Sequence, residues 1–308
     1  MKKIITMAFL AIIMIVATAC GNSSQAPNGE TISVKATNGT VKVPKNPKKI
    51  VVLDYGVLDT LDKLGETDKI VGIPQQTVPA YLKQFKDKKY TNLGRLNEVD
   101  LEKINSLAPD LIISSNRLAN LNDKLKKIAP TVQFTVNDKD FLNSFKSNMT
   151  ELASIFGKED QAKKEVDQLN KKIDTLKSNV PTDKKVLTIM ANEGKASAFG
   201  SESRYGLIYD VFGFKSADAH IEASPHGQSV SNEYISQKNP DYLFVVDRSA
   251  VVDGKPSAKK VIENELVQKT NAYKEKHVVY LNPEVWYFAG GGLESLNIMI
   301  DEVQKGIE

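Results

Sequence analysis

Apolar positions in this chain fall into two kinds of run. Short continuous ones, such as Ile50-Val51-Val52-Leu53, Leu111-Ile112-Ile113 and Leu243-Phe244-Val245-Val246, are too short for helices and predict buried strands. Strands are expected at 49–54, 111–114, 131–134, 185–190, 242–246 and 277–281. Between them, apolar residues recur every three or four positions among Lys, Asp and Glu, which predicts helices with one buried face. Two of these, 55–64 and 205–212, are closed by Gly65 and Gly213, residues suited to a helix C-cap. Strands alternating with helices argue for an α/β fold with parallel sheets covered on both faces. From 141 to 180 no strand pattern occurs, Gly157 is the only breaker, and Leu169, Ile173 and Leu176 keep helical spacing. One long helix over 146–180 is therefore expected to join a first lobe (31–145) to a second (181–308). A helical connector is stiff, so a few degrees of rocking are expected rather than a large closure.

A repeat supports the two-lobe reading. Leu101-Glu102-Lys103-Ile104, Pro109-Asp110 and Arg117 match Asn232-Glu233-Tyr234-Ile235, Pro240-Asp241 and Arg248, each pair 131 residues apart. Each copy reads as a helix, a Pro-Asp turn, a buried strand, and an arginine just past the strand's carboxyl end. Open α/β sheets bind ligands at that end. Two lobes presenting guanidinium groups across a cleft suit one anionic ligand, since Arg is a permanently charged, planar donor fork. Subtracting 131 from His226 gives Arg95, which puts these two on opposite lips.

The amino terminus changes the compartment. Met1-Lys2-Lys3, an apolar run from Ile4 and small residues before Cys20 form an export signal over 1–19, shorter than the ~20 residues of a membrane span. Ala17-Thr18-Ala19-Cys20-Gly21 resembles the lipobox of bacterial lipoproteins, with Ala17 where Leu is usual, so Cys20 is expected to be lipidated. Residues 20–30 then form a flexible tether, which places the protein on the extracellular face of the cell membrane. Cys20 is the only cysteine, so no internal disulfide is possible. Loss of Lys2 and Lys3 with the signal lowers the formal charge from +3 to +1, and nucleic-acid binding is not indicated.

Candidate chemistry is sparse. The three histidines, His220, His226 and His277, match no compact zinc spacing. There is no Gly-x-Ser-x-Gly elbow, no phosphate-binding Gly-x-x-x-x-Gly-Lys-Ser/Thr, and no Gly-x-Gly-x-x-Gly after the first strand. An aromatic cluster, Trp286-Tyr287-Phe288, precedes Gly290-Gly291-Gly292 and the last helix. Its residue types make Tyr287 a candidate ligand contact, and the segment 75–82 is expected to shape the pocket.

The runs Ser197-Ala198-Phe199-Gly200, Ser203-Arg204-Tyr205-Gly206, Pro225-His226-Gly227-Gln228-Ser229-Val230-Ser231 and Trp286-Tyr287, with the lipobox-like Cys20, resemble the siderophore-binding lipoproteins of bacterial iron-uptake ABC transporters. The branch resembled is that of petrobactin and related catecholates in Gram-positive bacteria. The resemblance implies two Rossmann-like lobes joined by a helical backbone, a ferric siderophore as ligand, no intrinsic cofactor, no enzymatic activity, and a monomer that delivers to an ABC permease. It assigns Arg117, Arg204 and Arg248 to a basic triad and His226 and Tyr287 to a pair of candidate iron ligands, with Trp286 packing nearby. Arg95 joins the ligand-binding set from the repeat alone. Glu102 and Glu233, paired by the repeat, and adjacent Glu98 are candidates for permease docking. Haem, cobalamin or a hydroxamate siderophore on the same fold, or an extracellular iron-chelate hydrolase, are the alternative readings.

Overall fold

The computed structural model describes residues 29–308. The signal segment 1–19, Cys20 and most of the 20–30 tether lie outside the described residues.

In the first lobe, Ile50–Val52 is the central strand, flanked in parallel by Ile70–Ile73 and Leu111–Ser114, with Thr91–Asn92 and Thr131–Gln133 at the edges. Every residue of Ile50–Val52 and Leu111–Ser114 is buried. That is why these strands read as unbroken apolar runs: a parallel sheet covered on both faces leaves no polar side. An antiparallel hairpin, Thr31–Ala36 with Gly39–Pro44, precedes the sheet and has no counterpart among the expected strands.

The repeated Pro-Asp pair has a concrete role. Asp110 accepts the backbone N–H of Lys48 (2.8 Å) and Lys49 (2.9 Å), and Asp241 accepts that of Lys185 (2.9 Å). Each aspartate's own N–H donates to a carbonyl at the same place, Lys49 and Lys185, at 2.8 Å. The pair thus clamps each helix–strand unit to the first strand of its sheet and fixes the registers Ile50 to Leu111 and Val186 to Tyr242.

The second sheet departs from the all-parallel expectation. Lys185–Asn192, Tyr242–Asp247 and Val278–Leu281 are parallel, but Lys195–Phe199 runs antiparallel to Lys185–Asn192, and Gln228–Val230 pairs antiparallel with Lys195–Phe199 at the edge. The cause is local. Glu193 (φ 50°) and Gly194 (φ 77°) form a two-residue loop with positive φ at both positions, the geometry that returns a strand on itself. The helix expected at 205–212 is confined to Leu207–Asp210.

The expected connecting helix, 146–180, is not continuous. Phe141–Ser154 and Glu159–Asn179 are separate helices, broken where Gly157 adopts φ 65°. The first packs on the opening hairpin, where Glu151 accepts the Lys35 N–H at 2.8 Å. The second, at ~1.5 Å per residue, is about 31 Å long. It leaves the first lobe with Gln161 bonded to the Lys63 carbonyl (2.9 Å) and reaches the closing helix Leu293–Ile307, where Lys172 meets Asn297 and Asp301 at 2.6 and 2.8 Å.

The closing helix is a second tie between lobes. Its first N–H groups are capped from the other lobe: Asp59 accepts Glu294 (3.2 Å) and Ser295 (3.0 Å), and Thr60 accepts Leu293 (3.1 Å). A carboxylate at a helix amino terminus satisfies orphan donors and meets the positive end of the dipole. Gly292 makes this approach feasible, since a Cβ there would stand 2.1 Å from Asp59 Oδ1 and 2.2 Å from the Gly56 carbonyl. Nearby, Ala80 N–H donates to Glu284 at 2.6 Å, so the 75–82 segment braces the lobes instead of lining the pocket.

Candidate functional site

A cleft of about 760 Å³ opens between the lobes, within the range of small-molecule sites. Arg117, Arg204 and Lys139 line it, and Arg248 joins them through Tyr287. Arg117 follows the strand Leu111–Ser114 in a tight 3-10 turn, Asn116–Leu121. Arg248 is the first residue of the helix Arg248–Val252, directly after Tyr242–Asp247, and its N-cap Asp247 bonds the Ala250 N–H. Arg204 comes from the turn after Lys195–Phe199. The repeat and the resemblance therefore single out residues that the fold does bring together.

All three converge on Tyr287, carried by the helix Pro283–Phe288. The guanidinium carbons of Arg117, Arg204 and Arg248 lie 4.9, 5.1 and 5.4 Å from its ring centroid. Arg117 also donates to the Tyr287 carbonyl, and Arg248 Nε donates to the phenol oxygen at 2.9 Å. Arg248 is held from behind by Asn192, whose side-chain oxygen accepts at 2.6 Å. Among the described residues, none of the three arginines forms an ion pair with a carboxylate. Burial would raise the Tyr287 phenol, but the Arg248 hydrogen bond and the Arg117 charge outweigh it and hold the group below its ordinary 10.0.

Other expected residues are placed differently. His226 is exposed on a loop that lines the same cleft. Trp286 is only 3% exposed, and its indole N–H donates to Glu302 at 2.8 Å, so it belongs to the floor beneath Tyr287 and packs edge-on against Tyr205. Arg95 does not line this cleft. It sits in the two-residue strand Gly94–Arg95 and reaches over to the Val252 carbonyl at 3.3 Å, beside a separate groove. Glu98, Glu102 and Glu233 are exposed, the last two in the first turns of helices capped by Asp100 and Ser231, again 131 residues apart.

Several lining residues carried no sequence signal. Asp54 caps the helix Tyr55–Lys63 through the Val57 N–H (3.0 Å), and burial raises its carboxyl in spite of that bond and the Arg117 charge. Asp138 is raised in the same way, with Arg204 opposing. Lys139 and Glu202 span the cleft mouth at 3.6 Å, both well exposed. Among the described residues no group of three or more His, Cys, Asp or Glu side chains is placed to hold a metal ion.

Residues 50–285 match the family model described as "Periplasmic binding protein". The chain belongs to that family. It is 49% identical to the petrobactin-binding protein YclQ of Bacillus subtilis over the full length of both chains. The crystal structure of YclQ superposes with a TM-score of 0.89 at 50% identity, covering 91% of this chain and 99% of that one. The siderophore-binding protein BauB, solved with two molecules of acinetobactin and ferric iron, gives 0.82 at 33% identity, covering 91% and 99%. The periplasmic catecholate-siderophore binding protein VctP of Vibrio cholerae gives 0.82 at 31%, covering 90% and 100%. The periplasmic-binding-protein fold accounts for both lobes and for the cleft between them.

Proposed function

We propose that this protein captures a ferric catecholate siderophore, of the petrobactin kind, in the inter-lobe cleft and delivers it to an ABC permease. The observation that carries the reading is the convergence of Arg117 from one lobe with Arg204 and Arg248 from the other, none of them in an ion pair with a carboxylate among the described residues. The relatives that bind petrobactin, acinetobactin with ferric iron, and catecholate siderophores support it.

Iron(III) wrapped by three catecholates carries three net negative charges, which three permanently charged guanidiniums match without any protonation requirement. A bis-catecholate complex carries one and leaves two coordination positions open. His226 nitrogen and the Tyr287 phenolate, both acceptable to a hard ferric centre, would fill them. Hydrogen bonds to charged partners contribute about 1.5 to 3 kcal/mol each, so three supply about 4.5 to 9 kcal/mol against association costs of about 4 to 15 kcal/mol, and sub-micromolar affinity needs aromatic packing on the cleft floor as well. Iron is cargo here and the reading requires no turnover.

The finer parts of the proposal concern placement. Cys20 would carry the lipid that holds a monomer at the outer face of the membrane, with the signal 1–19 removed. Glu102 and Glu233, at equivalent positions on the two lobes, and Glu98 would meet basic pockets on a pseudo-symmetric permease. Titration with ferric catecholates should quench the single Trp286, and a triple Arg117→Ala, Arg204→Ala, Arg248→Ala variant should lose that response. Wild-type affinity in the triple variant, or tighter binding of haem, cobalamin or a ferric hydroxamate in competition, overturns the reading.

A further inference from the structure

We propose that Tyr287 acts through its aromatic ring as the assembly point of the binding surface: a positioning residue that gathers the three guanidinium groups before any ligand arrives. This deepens the siderophore reading and rests on it for its purpose. It is separate from any bond between the phenol oxygen and iron.

One residue engages all three arginines in three ways. Its ring lies within 5.4 Å of each guanidinium carbon, its phenol oxygen accepts from Arg248, and its carbonyl accepts from Arg117. Like charges left to themselves would separate into solvent. A carboxylate placed among them would hold them, but it would cancel the field that is to attract an anion. An aromatic face attracts cations through its quadrupole while adding no net charge, so the positive potential of the cluster stays available.

The support beneath the ring is rigid, as a positioning role needs. Asn282 caps the carrying helix through the Glu284 N–H (3.0 Å), with Pro283 as its first residue. Trp286 is tied to Glu302, and Phe288 packs edge-on against Tyr55 at 6.3 Å. Because Arg117 and Arg204 approach from opposite lobes, the hub also sets the spacing of the two walls.

Two variants separate ring from oxygen. Tyr287→Phe keeps the π face and Tyr287→Leu removes it. The probe is iron(III) bound by a hexadentate tris-catechol chelator, a saturated complex that leaves no position for a protein ligand. Tyr287→Phe, which keeps the ring but gives up the Arg248 hydrogen bond, should lose part of the affinity, and Tyr287→Leu should be weaker than Tyr287→Phe by about tenfold or more. Equal losses in the two variants, or none in either, overturn the proposal.

A ligand-free readout keeps it distinguishable from the siderophore reading. In correlation spectra of the arginine Nε–H groups of the empty protein, wild type and Tyr287→Phe should show ring-shifted Arg204 and Arg248 signals that Tyr287→Leu lacks, Arg117 being also 5.8 Å from the Phe288 ring. Should the wild type fail to bind the complex while those shifts behave as stated, the cargo is wrong and the hub stands. Unshifted wild-type signals remove the hub whatever the cargo.

Discussion

Replacing Arg204 by Ala should make the empty protein more stable and its grip on ligand weaker. Its guanidinium stands 5.1 Å from the Tyr287 centroid, with Arg117 and Arg248 at 4.9 and 5.4 Å. Any two are therefore no more than about 10 Å apart, and at an effective dielectric constant of about 20 each pair repels by about 1.7 kcal/mol. The substitution deletes two such repulsions, about 3 kcal/mol, and one cation–π contact of about 1 to 2 kcal/mol. The net gain of about 1 to 2 kcal/mol corresponds to about 2 to 6 °C in the melting midpoint of a chain this size. Binding loses one charge-assisted hydrogen bond and should weaken about 10- to 150-fold. Thermal melts of the empty protein in dilute buffer and in about 0.5 M NaCl, where screening should shrink the gain, test the first part, and Trp286 quenching tests the second. A midpoint that falls in dilute buffer, or an affinity that does not change, refutes the reasoning.

Gly292→Ala should disrupt the joint between the lobes, because its Cβ would stand 2.1 Å from Asp59 and the clash falls on backbone at Gly56 as well. A loss of about 2 kcal/mol or more in urea unfolding is expected, and a near-neutral result would mean the closing helix is not seated on Asp59. Asp218 gives the pH prediction. Burial works against its charge, but Lys238 (2.7 Å), the His220 N–H (3.0 Å) and Tyr234 (2.7 Å) outweigh it and hold the carboxyl at about 2. Its folded value lies below the unfolded 3.8, so about 2 kcal/mol of stability is present above pH ~4 and is lost as the pH falls to ~2. Asp218→Asn should be less stable by about that amount at pH 7 and should lack the acid loss; curves that stay parallel down to pH 2 contradict the account.

What the sequence made legible was what local chemistry determines. Pro109-Asp110 and Pro240-Asp241 could be read because the aspartate serves the strand start beside it, and Arg117 and Arg248 because each directly follows its strand. The repeat misled where it was extended. Within the helix–strand unit the offset is 131, but the clamped strand starts, Lys49 and Lys185, are 136 apart, so the segments ahead of the unit differ in length. Arg95 and His226 are equivalent in arithmetic only: one sits in a short hairpin, the other in the loop before Gln228–Val230. Asp54, Asp138 and Asn192 carried no signal because their surroundings are assembled by residues distant in the chain. The break at Gly157 was visible as a glycine, but its positive φ was not. The resemblance placed Trp286 in packing near the ligand; it lines the cleft floor, and only the fold shows its indole N–H committed to Glu302.

Asp59 reaching out of one lobe to cap a helix of the other has a consequence for motion. Any rotation of one lobe against the other must bend or break the bonds from Asp59 to the Glu294 and Ser295 N–H groups, so the joint resists opening and closing in proportion to the strength of that cap.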